Sequence, residues 1–385
     1  MGQRVNLIAM VATVVATIVL VSTDAAEAYT LFGRLVPIFA FVTGMSVVVN
    51  IAAQVGVFDA VTRALETVAP VRAGARRQAL WSGLILISIV VTVFLSLDTT
   101  AILLTPLAIA VARRNGLNLM AVAFAVVWIA NIASLHLPVS NLTNLLALSG
   151  GGFTSELDYI TAAWVPATIA TGIAVAAALV INRLPERITS TTAHHPRREQ
   201  VVADPLLRPS LITLGLLLPA LASPIPYWLS SSVAAVVMVV LAALKRRDLL
   251  RLHLIPWPSL LLATAMSTVA TAVSVLGGAQ LVQAMLDDAT PLTIATTGAV
   301  AANLLNNIPA FLALEPAVST TQGYLALLIG VNTGPIITPW ASLATLLWHD
   351  QLLRAGVQIR WRTFILFGLI LAPVAVVVPA LSLML

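Results

Sequence analysis

The sequence predicts an all-α integral membrane protein of two inverted repeats, each with a re-entrant helical hairpin and a broken helix. Three observations predict it. Of 385 residues, 59% are hydrophobic and only 9% charged, where a soluble globular chain carries about 25% charged residues. A motif occurs twice, Pro138-Val139-Ser140-Asn141-Leu142-Thr143-Asn144-Leu145-Leu146 against Pro339-Trp340-Ala341-Ser342-Leu343-Ala344-Thr345-Leu346-Leu347. Upstream of each copy, Ser96 and Pro106 map onto Asn306 and Pro316 with one constant offset. Finally, the basic residues are confined to clusters that assign a side of the membrane to each loop.

A spanning helix needs about 20 apolar residues. Residues 5–21 meet this and lack a small-residue cleavage site, so they read as a retained first helix rather than a signal peptide. The next candidate is 31–51, followed by an interfacial helix at 52–68. Basic clusters then occur at Arg63/Arg72/Arg76/Arg77, Arg113/Arg114, Arg183 to Arg208, Lys245/Arg246/Arg247/Arg251 and Arg354/Arg360/Arg362. The positive-inside rule places all of them, and the N-terminus, in the cytoplasm. Acidic residues with few basic neighbours (Asp24, Glu27, Glu156, Asp158, Asp287, Asp288, Glu315) then lie outside.

That assignment dictates the hairpins. The apolar stretch 78–113 has cytoplasmic flanks at both ends, so it enters, turns at Ser96–Thr100 and returns. The stretch 291–318 has outside flanks at both ends and turns at Asn306–Pro309. Between and after them, 116–148 and 322–350 are too long and too proline-rich for plain helices. Pro138, Pro335 and Pro339 remove backbone donors and break them near 134–141 and 332–342, while Gly330 and Gly334 add freedom of φ and allow close approach. Closing helices follow at 160–182 and 363–384, and 258–276 with 277–288 repeats the helix–interfacial helix pair. The domain reading is an N-terminal scaffold helix at 1–30, a first repeat at 31–182, a cytoplasmic linker with scaffold helices (209–223, 227–244) at 183–257, and a second repeat at 258–385. His194-His195 in the linker reads as solvated rather than metal-binding.

Irregular backbone at membrane depth is tolerated only where it is buried in protein or lines a cavity. Polar, proline-broken segments at corresponding places in two halves mark the substrate site of a secondary transporter. The candidate substrate-binding residues are therefore Ser96, Asp98, Thr99, Asn141, Asn144, Asn306, Asn307, Ser342 and Thr345. Asp98 is the one acidic residue placed at membrane depth, which by default marks function. It has three open roles: a proton carrier, a Na⁺ ligand, or a hydrogen-bond partner of a polyhydroxylated solute. His136, in the first break, is a second candidate for proton coupling, against a plain packing role. An enzyme finds no support, since there is no His-Glu-x-x-His, no cysteine and no nucleotide-binding loop. The net charge of +5 sits in loops and reports topology rather than a nucleic-acid partner.

The string Gly334-Pro335-Ile336-Ile337-Thr338-Pro339-Trp340-Ala341-Ser342-Leu343-Ala344-Thr345-Leu346-Leu347-Trp348 resembles the ArsB-type arsenite/antimonite efflux permeases of the ion-transporter superfamily, departing at Ala341 from the family's glycine. Phe94 through Thr100 resembles the family's first hairpin, and Asn306-Asn307-Ile308-Pro309 its second tip. Ser96-Leu97 stands where the family carries Asn-Asn, which bears on substrate identity more than on fold. The resemblance implies an inverted-repeat secondary transporter in the plasma (inner) membrane. It would export arsenite or antimonite from the cytoplasm by proton antiport, with elevator-type alternating access and no cofactor. A Na⁺-coupled carboxylate carrier or Na⁺/H⁺ antiporter of the same superfamily is the alternative reading, and a passive channel for neutral solutes a third. Both a cytoplasmic ATPase and a second copy of the chain remain open as partners. The topology predicts that single cysteines replacing Asp288 and Arg114 react with an impermeant thiol reagent from opposite sides of the membrane; same-side labelling would refute it.

Overall fold

The computed structural model describes residues 3–184, 189–190 and 204–385. The rest of the linker, His194 and His195 included, lies outside the described residues. The chain is helical almost throughout; the strands among the described residues are Thr189–Ser190 and Val357–Gln358, paired antiparallel.

The helices begin with α1 (Gln3–Thr23), α2 (Ala25–Gln54) and α3 (Val57–Val68). Asp24 ends the first and caps the second, accepting the Glu27 N–H at 3.0 Å. Helix α3 buries Val57 and Phe58 and exposes its charged face, as an interfacial helix does. The first hairpin consists of α4 (Ala73–Leu95), a short α5 (Leu97–Thr99), a π turn (Thr100–Leu104) and α6 (Thr105–Asn115). Gly116, at φ 64°, stops α6 just after Arg113 and Arg114, whose charges suit a helix C-terminus. The first broken helix is α7 (Leu119–Ile132), two 3₁₀ turns and α8 (Leu142–Ser149), followed by α9 (Glu156–Asn182).

Two further helices, α10 (Leu207–Leu221) and α11 (Tyr227–Lys245), lead to α12 (Trp257–Val273), a π turn (Ser274–Gly278) and α13 (Ala279–Met285). The second hairpin is α14 (Pro291–Leu304) and α15 (Asn307–Leu314). The second broken helix is α16 (Thr321–Thr333) and α17 (Leu343–Arg354), and α18 (Trp361–Leu381) closes the chain. Six helical segments, including α2, α4, α9 and α11, are long and apolar enough to cross a bilayer. Packing crosses between the halves: α1 lies on α12, and α11 lies on α2. The helix before each half's leading helix thus supports the leading helix of the other half. Gly44 permits the second of these contacts, because a Cβ there would fall 2.9 Å from the Ser231 carbonyl oxygen.

The two hairpin tips share an unusual backbone. Among the described residues, non-glycine positive φ occurs only at Ser96 (φ 115°), Asp288 (φ 54°) and Asn306 (φ 141°). Ser96 and Asn306, the pair related by the constant offset, also share ψ 159°. A non-glycine residue in such a region costs about 1–3 kcal/mol and persists only where its surroundings hold it. The turns are tighter than the sequence suggested. Helix resumes at Leu97 and at Asn307, so Pro309 falls in the first turn of α15, where its missing donor costs nothing.

A second correction concerns the glycines before the second break. Gly330 lies inside α16, and Gly334 has φ −74°, so neither uses its freedom of φ. The other expectation, close approach, holds: α16 packs against α14, and a Cβ at Gly330 would collide with the Ala295 carbonyl oxygen. Gly330→Val is therefore expected to cost about 1–3 kcal/mol through overpacking. In detergent it lowers the melting temperature, while Gly172→Val, with open space around it, leaves that temperature unchanged.

Candidate functional site

A break in a buried helix frees backbone groups that need new partners. Three asparagines, Asn144, Asn303 and Asn306, supply most of them. At the first break, the Asn144 amide donates to the carbonyls of Ser134 (2.7 Å) and Leu137 (2.9 Å). Tyr159 Oη donates to the Leu135 carbonyl at 2.8 Å. At the second break, Asn303 Oδ1 accepts the N–H groups of Ile337 (3.2 Å) and Thr338 (3.0 Å), and its amide donates to the Gly334 carbonyl at 2.8 Å. Each break is also pinned to its neighbouring hairpin by one hydroxyl: Ser140 Oγ donates to the Val93 carbonyl at 2.6 Å, and Thr338 Oγ1 to the Asn303 carbonyl at 2.7 Å. Val93 and Asn303 obey the same offset as the tips.

Asn332, at the end of α16, joins the two broken helices. Its Oδ1 accepts from Thr143 Oγ1 (2.6 Å) and Asn141 Nδ2 (3.1 Å), and its amide donates to Asn144 Oδ1 (2.7 Å). All four side chains are buried. Such a fully satisfied buried network fixes one arrangement of its helices.

Helices restart at Ser96, Asn141, Asn306 and Ser342, and these four N-terminal ends converge beside a cavity of about 410 Å³. Partial positive charge at helix N-termini favours electronegative atoms there. Of the predicted residues, Ser96, Asp98, Thr99, Asn141, Asn307 and Ser342 line the cavity. Among the described residues, no Lys or Arg lines it, and Asp98 is its single acid.

These residues differ in what they have left to offer. Ser96 Oγ accepts from the Thr99 N–H (3.3 Å) and bonds its hydroxyl (3.1 Å), so the two close the first tip on each other. Asn141 is engaged with Asn332 and Ser134. By contrast, the Asp98 carboxylate and the Asn307 side chain have no intramolecular hydrogen bond among the described residues. The Ser342 hydroxyl is buried without a partner and does not cap α17. Three free polar groups, from the first hairpin, the second hairpin and the second broken helix, thus face one space.

The remaining predicted residues lie elsewhere. Asn144 belongs to the network, and Asn306 holds the second tip by donating to the Trp340 carbonyl at 2.9 Å. Thr345 Oγ1 is buried without a partner but does not line the cavity. His136 pairs Nδ1 with the Ala133 carbonyl oxygen at 3.1 Å, and its ring meets Trp164 edge-on at 6.1 Å. Trp164 is 60% exposed, so His136 sits toward the outer surface of α9 rather than at the cavity. Sequence reasoning passed over Asn303 and Asn332, and also Ser46 and Asn50, which line the cavity from one face of α2. The signal for all four was a polar residue inside an apolar helical run. No group of three or more His, Cys, Asp or Glu assembles for a metal ion among the described residues.

Residues 4–328 match the family described as citrate transporter. Among curated proteins, the chain is similar to arsenical pump membrane proteins. It is 28% identical over 329 residues to that of Escherichia coli (strain K12). It is 30% identical over 331 residues to another from Escherichia coli, and 30% over 329 residues to that of Yersinia enterocolitica. Each alignment covers 77% of this chain and 75% of the relative.

The split between engaged and free polar groups has separable consequences. Asn332→Ala strands buried partners at about 1–3 kcal/mol each, so it lowers thermal stability in detergent sharply. Asn307→Ala leaves stability near that of the parent and impairs transport. Equal stability losses in the two variants would contradict this division.

Proposed function

This chain belongs to the citrate transporter family of membrane transporters, and from that premise we propose that it exports arsenite or antimonite from the cytoplasm by proton antiport. The observation that carries the reading is the trio of free polar groups (Asp98, Asn307, Ser342) in a cavity with no lysine or arginine among its described lining residues. Trivalent arsenite is mostly an uncharged hydroxide at neutral pH, and its hydroxyls both donate and accept hydrogen bonds. An amide, a hydroxyl and a carboxylate match that pattern, and the relatives named as arsenical pump membrane proteins support it. Asp98, the single acid among the cavity's described lining residues, is the proposed proton carrier; His136, which does not line the cavity, is left out of the proposed path.

A second reading follows from the family description and from the four helix N-termini, which suit an anion. A citrate-like cargo carries several negative charges, and among the described residues the cavity offers no lysine or arginine to offset them. The uncharged solute is therefore favoured.

The proposed cycle is of the elevator type in the plasma (inner) membrane, with the N-terminus in the cytoplasm. The proposed organisation is two inverted repeats, supported by the matching backbone at Ser96 and Asn306 and by the exchange of α1 and α11 between halves. In an arsenite-sensitive host, the chain is expected to lower arsenite accumulation, and a protonophore to abolish that effect. Asp98→Asn is expected to reduce pH-driven arsenite flux in proteoliposomes to the level of protein-free vesicles while the chain stays folded. Undiminished coupled flux in that variant would remove Asp98 from the proton path. Citrate flux with no arsenite flux would select the second reading.

A further inference from the structure

A second cavity, of about 240 Å³, is walled by the same helices as the first. Four elements contribute to both: α2, α8, α12 and α15. Along α2 the residues step from Asn50 and Ser46 through Phe39 in the large cavity to Leu35 and Leu31 in the small one. On α8 the change falls between Leu145 and Leu146, and on α15 between Ile308 and Leu312. The two spaces are thus successive parts of one track, parted by a short apolar neck. At about 1.5 Å rise per residue, Phe39 and Leu35 stand one helical turn apart.

The small cavity holds an ion pair. Arg34 of α2 donates from Nη2 to Glu315 Oε1 at 2.7 Å and to the Leu146 carbonyl at 3.1 Å. One guanidinium therefore ties α2 to the end of α8 and to the exit of the second hairpin. Among the described residues this is the sole ion pair linking α2 or α12 to α8 or to the segment after α15. The side chains are 24% and 12% exposed, and Arg34 Nε is buried without a partner. Tyr324, on the same wall, donates to the Gly150 carbonyl at 3.2 Å and closes α16 onto α8.

We propose that the small cavity is the exit chamber of the transport path and that the Arg34–Glu315 pair is its outer gate, latched in the state seen here. A solute held by Asp98, Asn307 and Ser342 reaches the far side only when α2 parts from α8 and the second hairpin, and that parting breaks both bonds of Arg34. The gate rests on the reading of the large cavity as the substrate site, but not on the identity of the cargo. In the proposed orientation, the Ser46–Asn50 end of the large cavity faces the cytoplasm and Arg34 faces outside.

The chain contains no cysteine, so a single introduced thiol reports accessibility without background. Ser46→Cys is expected to react with an impermeant maleimide from the cytoplasmic side and slowly from outside. The pair lies between an exposed and a fully buried one, so weakening it shifts opening by about tenfold. Glu315→Gln, which removes the charge, and Arg34→Lys, which keeps the charge but loses the planar fork, are each expected to raise the external labelling rate of Ser46→Cys by that order. Thr333→Cys, in the buried core, stays unlabelled from both sides in the same backgrounds and marks an intact fold. Unchanged external labelling in both latch variants overturns the gate. Labelling needs neither arsenite nor a proton gradient, so a chain that moves another cargo still passes or fails this test on its own.

Discussion

The structure depends on one constraint: backbone broken at membrane depth must find hydrogen-bond partners inside the protein. Two helices are broken at proline-containing segments, and the freed carbonyls and N–H groups are met by Asn144, Asn303 and Asn306. Asn332 then binds one broken helix to the other. Once those amides are committed, the polar groups left over stand out by subtraction. The side chains of Asp98, Asn307 and Ser342 are polar, face a cavity and make no hydrogen bond among the described residues. A transported solute is the natural occupant of such a set, because each unmade bond at a buried group is worth about 1–3 kcal/mol to whatever makes it.

The two halves agree in backbone and differ in chemistry. Ser96 and Asn306 share a strained conformation, and Val93 and Asn303 each accept one hydroxyl from a break. Yet Asp98 exists on one tip only, and the amide at Asn307 answers it from the other. Matching backbone at the two tips thus borders one space, and unequal side chains line its two sides. The same asymmetry extends outward, where Arg34 of the first half meets Glu315 of the second.

Much of this was legible before any coordinates. The hairpins and the breaks followed from proline positions, charge bias and one offset, and six of the predicted site residues line the cavity. What the sequence could not separate was a polar residue that serves the backbone from one that serves a ligand. Asn141 and Asn144 look alike beside Ser342 and Thr345, but hydrogen bonding depends on which carbonyl the fold brings within 3 Å, and that is a tertiary fact. His136 lies off the cavity for a similar reason: it follows the Ala133–Leu135 3₁₀ turn, and its ring packs edge-on against Trp164. Gly330 suggested both backbone freedom and close approach, and only the second is used, giving room to α14.

The central claim is that a substrate occupies the space between the free groups of three elements. Diffraction from crystals soaked in antimonite, collected for the anomalous signal of antimony, tests it most directly. The account predicts an anomalous peak within hydrogen-bonding reach, through its hydroxyls, of Asp98, Asn307 and Ser342. A peak only beside His136 and Trp164, or only in the chamber of Arg34 and Glu315, would contradict it.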